Sequence, residues 1–206
     1  MFTIFQGTPC KPARPFRFPL FQGKHVFTLR SLAIPDDMHL IHRWTQLEYA
    51  RRFWQMDMPV DTLCQWYFQM ISRLDAHPYL GLLDGKPVCQ LDVYRAFGEE
   101  ISLHYPAGTG DYGIHLLMCP NRKNYPDLTV QVLRAALKYL FSFSEVENVI
   151  GEPDIQNRAA NLVIRRAGFQ LVQQVRLSDK QANLFLLRRS HYLETCTVSH
   201  ELTGKP

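Results

Sequence analysis

The segment from residue 111 to residue 167 constrains the fold most, because it alternates strand and helix patterns. The strand pattern Asp111–Met118 and the short apolar strand Asn148–Gly151 are separated by an amphipathic helix at about residues 127–142, and another helix is predicted at 156–167. Neighbouring strands that are joined by a helix must run parallel. The segment therefore predicts a β-α-β-α core around a parallel strand pair.

Antiparallel strands are predicted on both sides of this core. Tyr79–Leu83 and Pro87–Tyr94 flank an Asp-Gly turn, which is a strong hairpin signal. Two last strands are predicted at about 169–177 and 183–189. This order predicts an α/β fold with a mixed sheet and helices on both faces.

The N-terminal part begins with a proline-rich stretch that cannot be helical but retains phenylalanines that can pack as an arm. A strand is predicted at 25–30, a first helix after it with Asp36 or Asp37 as its N-cap, and a second helix at about 60–74. We predict an N-terminal extension at 1–23, a single domain at 24–190 and a loose polar tail at 191–206.

Length and composition favour one soluble domain. The chain has 206 residues, of which 46% are hydrophobic, so it can bury one sizeable core. Its N-terminus lacks a signal-peptide pattern and no later segment has the length of a membrane span, so we expect a cytoplasmic protein without a membrane partner.

Charge and cysteine usage exclude other classes of function. A net charge of +4 without a long basic run argues against nucleic acid as a partner, and three arginines of the helix at 156–167 are more simply a solvated face. The five cysteines are scattered without a Cys-x-x-Cys pair, so we expect reduced and mostly buried thiols and no metal site. A small polyanionic ligand remains compatible with this charge.

Polar side chains interrupt one face of the strand 111–118. Alternate residues share a face, so Asp111, Gly113, His115 and Leu117 point the same way. Gly113 leaves volume beside His115, as a ligand pocket requires. A histidine that satisfies a buried carbonyl is the equal alternative.

Asp154 follows the next parallel strand at its carboxyl end, where open α/β sheets place their sites. A carboxylate within reach of the His115 imidazole would orient it and raise its basicity. The alternative is that Asp154 caps the helix at 156–167.

From about Phe27 to Arg189 the sequence resembles the GNAT acyltransferases, and within them the siderophore-assembly branch of the aerobactin, alcaligin and rhizobactin type, which acylates hydroxylamines. The matching pieces are His42-Arg43-Trp44, Phe53-Trp54, Val93-Tyr94, His104-Tyr105, Asp111-x-Gly113-x-His115-Leu116-Leu117 and Glu152-Pro153-Asp154-x-x-Asn157, ending at Gly168-Phe169. The resemblance implies the GNAT fold, whose mixed and mostly antiparallel sheet contains a splayed parallel strand pair.

The resemblance also implies the chemistry. The donor would be acetyl-CoA or another acyl-CoA, and the acceptor an N-hydroxylated diamine or amino acid of the N-hydroxyputrescine, N-hydroxycadaverine or N6-hydroxylysine type. The product would be a hydroxamate for iron acquisition, and other enzymes of siderophore biosynthesis are candidate partners. No metal is implied.

By position, the resemblance assigns roles to individual residues. His115 and Asp154 match the family's catalytic pair, which would transfer the acyl group directly. The cofactor set is Leu116, Leu117, Met118, Asn121, Arg122, Lys123, Asn124 and Asn157, of which Asn157 matches a contact to the pantetheine arm. The acceptor set is His42, Trp44, Trp54, Tyr94, His104 and Asp111, and core packing is an equal alternative for its aromatics.

The sequence departs from the family pattern twice. The diphosphate loop at 120–126 contains no glycine, although Arg122 and Lys123 can supply positive charge in place of backbone N–H donors. Ile164 stands where many members have the tyrosine that protonates the thiolate. Two alternatives therefore stay open, acetylation of an ordinary amine and a non-catalytic GNAT-like binding module.

Overall fold

A computed structural model describes residues 7–120 and 125–194. The strands are β1 (Gly7–Thr8), β2 (Lys11–Pro12), β3 (Phe16–Leu20), β4 (His25–Ser31), β5 (Ala76–Leu83), β6 (Lys86–Arg95), β7 (Asp111–Met118), β8 (Asn148–Gly151), β9 (Gln170–Arg176) and β10 (Gln181–Arg188). The helices are α1 (Met38–Thr45), α2 (Glu48–Phe53), α3 (Val60–Ser72), α4 (Leu128–Leu140) and α5 (Arg158–Arg166), with a 3-10 helix at Glu100–His104. Within the described ranges, no helix is both long and apolar enough to cross a bilayer.

Eight strands form one mixed sheet in the order β3-β4-β5-β6-β7-β8-β10-β9. The β7–β8 pair is parallel and the other neighbouring strands of this sheet are antiparallel. The predicted hairpin, the β-α-β-α core and the two last strands are confirmed. Helix α2 was not predicted, because six residues are too few to show a helical period.

The N-terminal arm belongs to the same core as the rest of the sheet. Phe16–Leu20 pairs with β4 as an edge strand, where Pro19 costs little because one side of an edge strand needs no ladder hydrogen bond. Tyr79 donates a hydrogen bond to the Pro9 carbonyl, and its hydroxyl lies 2.8 Å from that of Tyr139. The N-terminal extension therefore packs against the core of the domain.

Helices cover both faces of the sheet, as predicted. The β5–β6 register places Tyr79 opposite Leu91, and the contact of Tyr79 with Tyr139 puts α4 on that face. Asp92 points to the other face, and the fully buried Tyr67 of α3 lies within electrostatic reach of it. The face with Asp92 is the one that carries His115, because these two residues are cross-strand neighbours.

The parallel strands β7 and β8 pair only over three positions and then separate. Their register runs from Asp111 opposite Asn148 to Gly113 opposite Ile150. Past β8 the chain stays beside β10: Asn183 N donates to Pro153 O at 3.0 Å and Ile155 N donates to Gln181 O at 3.0 Å. Since β7 meanwhile continues beside β6, a wedge opens between residues 114–118 and residues 152–155.

The predictions for the cysteines and the tail extend partly beyond the described residues. Cys10, Cys89 and Cys119 are buried, Cys64 is half-buried, and Cys196 lies outside the described part of the chain. Residues 191–194 of the predicted tail form part of a helical turn. Residues 195–206 also lie outside the described part.

Arg189 holds the carboxyl end of α4 against the last strand. Its Nε donates to Val146 O at 2.7 Å, its Nη1 donates to Phe141 O at 2.8 Å, and its Nη2 donates to Phe143 O. These carbonyls belong to the C-cap of α4 and to the loop between α4 and β8, and a guanidinium with several fixed donors can satisfy all three. This contact connects α4 to β10.

Replacing Arg189 by methionine should therefore destabilise the domain. Loss of hydrogen bonds from a charged donor predicts a decrease of about 1–3 kcal/mol in the free energy of unfolding. The matched control is Arg188→Met, because the neighbouring Arg188 is exposed. Urea unfolding followed by circular dichroism would measure both variants, and equal midpoints for the two would contradict this role of Arg189.

Candidate functional site

His115 and Glu152 meet at the narrow end of the wedge. The His115 Nε2 lies 2.6 Å from Glu152 Oε1. The parallel register explains the contact: Gly113 is opposite Ile150, so the residues two positions further along each strand face one another. The Glu152 side chain is 5% exposed, whereas 43% of the His115 side chain is accessible, so the imidazole opens into the wedge and the carboxylate does not.

The charge of Glu152 determines which nitrogen of His115 is basic. A carboxylate only accepts hydrogen bonds, so His115 Nε2 carries the proton and Nδ1 keeps the free lone pair. Burial alone lowers the pKa of His115, but the charge of Glu152 and its hydrogen bond outweigh that effect, and the net pKa is raised. Burial likewise raises the pKa of Glu152, and the charge of His115 reverses this to a lowered pKa. The pair therefore favours the ionised carboxylate beside a basic imidazole.

Tyr94 packs against the imidazole through the space above Gly113. The Tyr94 and His115 ring centroids are 5.0 Å apart, and a Cβ at Gly113 would lie 2.0 Å from Tyr94 Cζ. Tyr94 also lies close enough to Glu152 to help lower the pKa of its carboxyl group. The volume that Gly113 was predicted to leave for a ligand is therefore occupied by the Tyr94 ring.

Trp54 and Lys180 approach the pair from two other elements. The Trp54 ring lies edge-on to the His115 ring with centroids 6.1 Å apart, at the end of α2. Lys180 Nζ, from the turn between β9 and β10, lies 3.9 Å from Glu152 Oε1. The lysine charge helps to keep Glu152 ionised and opposes protonation of His115.

A second carboxyl group lies opposite His115 on the neighbouring strand. Asp92 is the cross-strand partner of His115 and is 1% exposed. Its Oδ1 accepts a hydrogen bond from Gln90 Nε2, whose residue is also fully buried. Burial raises the pKa of Asp92 to about 7, although the charge of His115 acts in the opposite direction.

The structure differs from the sequence prediction in the carboxylate that accompanies His115. Asp154 Oδ1 accepts a hydrogen bond from Gln156 N at 2.6 Å, and the backbone of Asp154 pairs with Ala182. At Asp154 the chain has already separated from β7, whereas Glu152 still lies beside β7. Asp154 thus stabilises the turn before α5, whose N-cap is Asn157 and not Asp154, and Glu152 has the contact with the imidazole.

The structure places the cofactor set partly along the wedge. Leu116, Leu117 and Met118 form the end of β7, and Met118 O accepts a hydrogen bond from Tyr49 at 2.6 Å. Asn157 is the N-cap of α5 and accepts from Ala160 N at 3.1 Å. Four further members of the set lie outside the described residues, namely Asn121, Arg122, Lys123 and Asn124.

The acceptor set is divided between the site and the scaffold. Trp54 and Tyr94 contact the imidazole, as described above. Asp111 instead joins the starts of β7 and β8, because Asn148 Nδ2 donates to its Oδ1 at 2.6 Å and Gly108 N donates to its Oδ2 at 3.0 Å.

The remaining members make contacts within the scaffold. Trp44 is 5% exposed and belongs to the core, and His42 Nε2 lies 3.3 Å from Gln46 Nε2 on α1. The backbone carbonyl of His104 accepts a bond from Gln173. Core packing, which was the alternative to a substrate contact, therefore applies to Trp44.

The second departure from the family pattern has a packing explanation. Ile164 is 6% exposed, and its Cδ1 would lie 2.4 Å from a Cβ at Gly151. The isoleucine is thus packed directly against β8. No hydroxyl is available at this position.

Sequence reasoning missed Glu152, Asp92 and Lys180 as members of the site. Glu152 lies in the same motif as Asp154, but the register of β8 against β7, which places Glu152 beside His115, is not visible in the sequence. Asp92 reaches the site through the antiparallel pairing of β6 with β7, and Lys180 reaches it from the turn between β9 and β10. No local sequence pattern reveals either contact. Among the described residues, no group of three or more histidine, cysteine, aspartate or glutamate side chains is arranged to hold a metal.

Comparison with known proteins gives both a family and named relatives. Residues 33–177 match the profile described as "Acetyltransferase (GNAT) domain". The N-hydroxyputrescine acetyltransferase of Acinetobacter baumannii is 27% identical over 89% of this chain and 88% of its own length. The N(6)-hydroxylysine O-acetyltransferase of Escherichia coli is 21% identical over 89% of this chain and 60% of its own length.

A structural comparison supports the fold. The structure of aminoglycoside acetyltransferase AAC(6')-Ib in complex with coenzyme A superimposes with a TM-score of 0.74 at 22% identity. The match covers 82% of this chain and 98% of that one. The expected mixed sheet with a splayed parallel pair is therefore confirmed.

The geometry predicts that Glu152 and not Asp154 controls the basicity of His115. Glu152→Gln removes a negative charge next to the imidazole, so the pKa of His115 should fall. Asp154→Asn is the matched control and should leave that pKa unchanged. Titration of the His115 ring signals by NMR tests both variants. A lower His115 pKa in Asp154→Asn but not in Glu152→Gln would instead support Asp154 as the partner of the imidazole.

Proposed function

The chain belongs to the GNAT acetyltransferase family, and we propose that it acylates an N-hydroxylated diamine or amino acid to a hydroxamate. The donor is an acyl-CoA and the enzyme is an N-acyltransferase. Relatives whose names refer to N-hydroxyputrescine and N(6)-hydroxylysine support this choice of acceptor. The product would serve siderophore biosynthesis, and we retain other enzymes of that process as candidate partners in the cytoplasm.

The observation that carries the proposal is the accessible imidazole at the narrow end of the wedge. His115 Nδ1 has a lone pair, Glu152 holds Nε2 from the buried side, and the imidazole faces the opening between the separated strands. A general base needs an accessible lone pair within reach of a substrate proton and a pKa near neutrality. This combination supports His115 as the base.

The proposed reaction is a direct transfer. The acceptor nitrogen attacks the thioester carbonyl carbon while His115 Nδ1 takes the proton from that nitrogen. Glu152 stabilises the resulting imidazolium through the proton on Nε2. The carbonyl oxygen gains negative charge, and a backbone N–H of residues 116–118, along the edge of β7 that faces the wedge, is our candidate donor to it.

The intermediate collapses when the carbon–sulfur bond breaks and the thiolate leaves. The proton that His115 has gained, or a proton from solvent, neutralises the thiolate. This is sufficient because a thiolate is a good leaving group near neutral pH. The isoleucine at position 164 is therefore compatible with the reaction.

A hydroxylamine suits this site better than an alkylamine. An alkylamine has a pKa of about 10 and must lose a proton before it can attack, whereas a less basic hydroxylamine arrives uncharged. One imidazole is then enough to accept the proton released on attack. Acetylation of an ordinary amine remains the second candidate, supported by the likeness to AAC(6')-Ib.

Removing the imidazole tests the assignment of the base. His115→Ala should lower kcat by about 10²- to 10⁴-fold with the fold intact, because a general base contributes about that factor. The matched control is His39→Ala, since His39 is an exposed histidine on α1. Acyl transfer measured by thiol release, with circular dichroism on each variant, provides the result, and unchanged turnover in His115→Ala would refute the assignment.

The choice of acceptor is tested with paired substrates. N-Hydroxyputrescine, N-hydroxycadaverine and N6-hydroxylysine should each be compared with the plain amine, using a panel of acyl-CoAs and mass spectrometry of the products. The hydroxylamine should react well at pH 7, whereas the rate with the plain amine should keep rising as the pH approaches its pKa of about 10. Equal rates at pH 7 would favour the ordinary-amine alternative.

The affinity for acetyl-CoA distinguishes the two enzyme hypotheses, with a hydroxylamine or an ordinary amine as acceptor, from a non-catalytic binding module. Isothermal titration with acetyl-CoA should show saturable binding to the wild-type chain. Absence of binding at millimolar cofactor would leave the non-catalytic alternative. If the wild-type chain binds, Arg122→Ala together with Lys123→Ala will report whether the glycine-free loop contributes charge to diphosphate binding.

A further inference from the structure

We propose that Asp92 is a positioning residue for His115, a buried carboxylate that steadies the imidazole from β6 and stabilises its protonated form during acyl transfer. The inference rests on the proposed function, because it assigns Asp92 to the step in which His115 accepts a proton. Asp92 is 1% exposed and therefore acts through His115 without touching substrate. Its role is separate from that of Glu152, which reaches the ring from the chain after β8.

The sheet itself brings Asp92 to the imidazole. Asp92 and His115 are directly opposite in the antiparallel β6–β7 register. Side chains at such positions share a face, and their Cβ atoms lie about 4.5–5.5 Å apart. Since both strands continue beyond this pair, backbone hydrogen bonding fixes the two positions relative to each other.

The polar groups around the pair come from every element packed on it. Glu152 and Lys180 reach His115 from the chain after β8 and from the β9–β10 turn. Gln90 donates to Asp92 from the same strand. Three further groups complete the surroundings: Tyr94 on β6, Trp54 after α2 and Tyr67 on α3.

This cluster leaves several buried polar atoms without a hydrogen bond of good geometry in the described chain. They are Trp54 Nε1, Tyr67 Oη, Gln90 Oε1 and Glu152 Oε2. A core selected only for stability seldom keeps so many polar atoms together, because each unsatisfied one costs about 1–3 kcal/mol. Trp54 and Glu152 contact His115, and Gln90 donates to Asp92, so these atoms belong to residues around the pair.

A buried carboxyl group that accepts a hydrogen bond from Gln90 suits this role. Burial makes the ionised form of Asp92 costly, while a positive charge on His115 lowers that cost. Ionised Asp92 and protonated His115 therefore stabilise each other. When His115 accepts the proton from the acceptor nitrogen, the negative charge of Asp92 acts on the new positive charge from the opposite position on the neighbouring strand.

Asp92→Asn tests the proposal, because it keeps the shape and removes the charge. The pKa of His115 should fall, and the acid limb of the kcat profile should move to lower pH with it. At pH 7.5, kcat should fall by about 3- to 30-fold, whereas KM for the acyl-CoA should stay within about twofold, because Asp92 does not contact the cofactor.

The control is Asp37→Asn, which removes a half-buried carboxylate that is paired with Arg30 at 2.7 Å. This variant should lose some stability, but its His115 pKa should match that of the wild type. A folded Asp92→Asn enzyme with an unchanged His115 pKa would overturn the proposal. A lower kcat without that shift would assign Asp92 a purely structural role and overturn it equally.

A measurement on the wild-type protein keeps the proposal testable if Asp92→Asn fails to fold. The ¹³C carboxyl signal of Asp92 and the ring signals of His115 should titrate together, each reporting the other's protonation. Independent titration curves would overturn the coupling. The readout needs no turnover, so a chain that fails to acylate hydroxylamines would contradict the proposed function without deciding the role of Asp92.

Discussion

The separation of β7 from β8 after three paired positions is the constraint on which the site depends. Up to Gly113 the two strands are hydrogen-bonded neighbours, whereas residues beyond Gly151 form backbone hydrogen bonds with β10. Buried backbone groups need hydrogen-bond partners. The segment after β8 can therefore separate from β7 only because β10 supplies those partners. The result is a wedge in the middle of a continuous sheet, with β7 as one rigid wall.

The chemistry of the wedge comes from side chains on one face of that wall and its neighbours. His115 lies between carboxyl groups on both adjacent strands, Glu152 following β8 and Asp92 on β6. The large ring of Tyr94 fits against the imidazole because Gly113 has no side chain. Burial makes each charge sensitive to the others, so the basicity of the imidazole is a property of the cluster and not of the histidine alone.

Much of the scaffold could be predicted because its signals are local. The Asp-Gly turn, the helical period of α4 and the strand with His115 each depend on neighbouring residues, and their order implies the parallel pair. The edge strand Phe16–Leu20 was hidden because prolines interrupt its pattern, although an edge position tolerates them. The tertiary partner of that segment, β4, is what makes it a strand.

The carboxylate beside His115 illustrates the limit most clearly. Both Glu152 and Asp154 stand in one short motif, and capping or pairing is plausible for either from sequence. The fold class, the strand that carries His115 and the junction that supplies its carboxylate partner follow from local patterns in the sequence, because periodicity and turn chemistry act over a few residues. The contact of Glu152 with the imidazole, the position of Asp92 opposite it and the filling of the space above Gly113 by Tyr94 emerge only in the folded chain. Strand register and the point of strand separation arise from pairing between distant segments, so local patterns do not contain them.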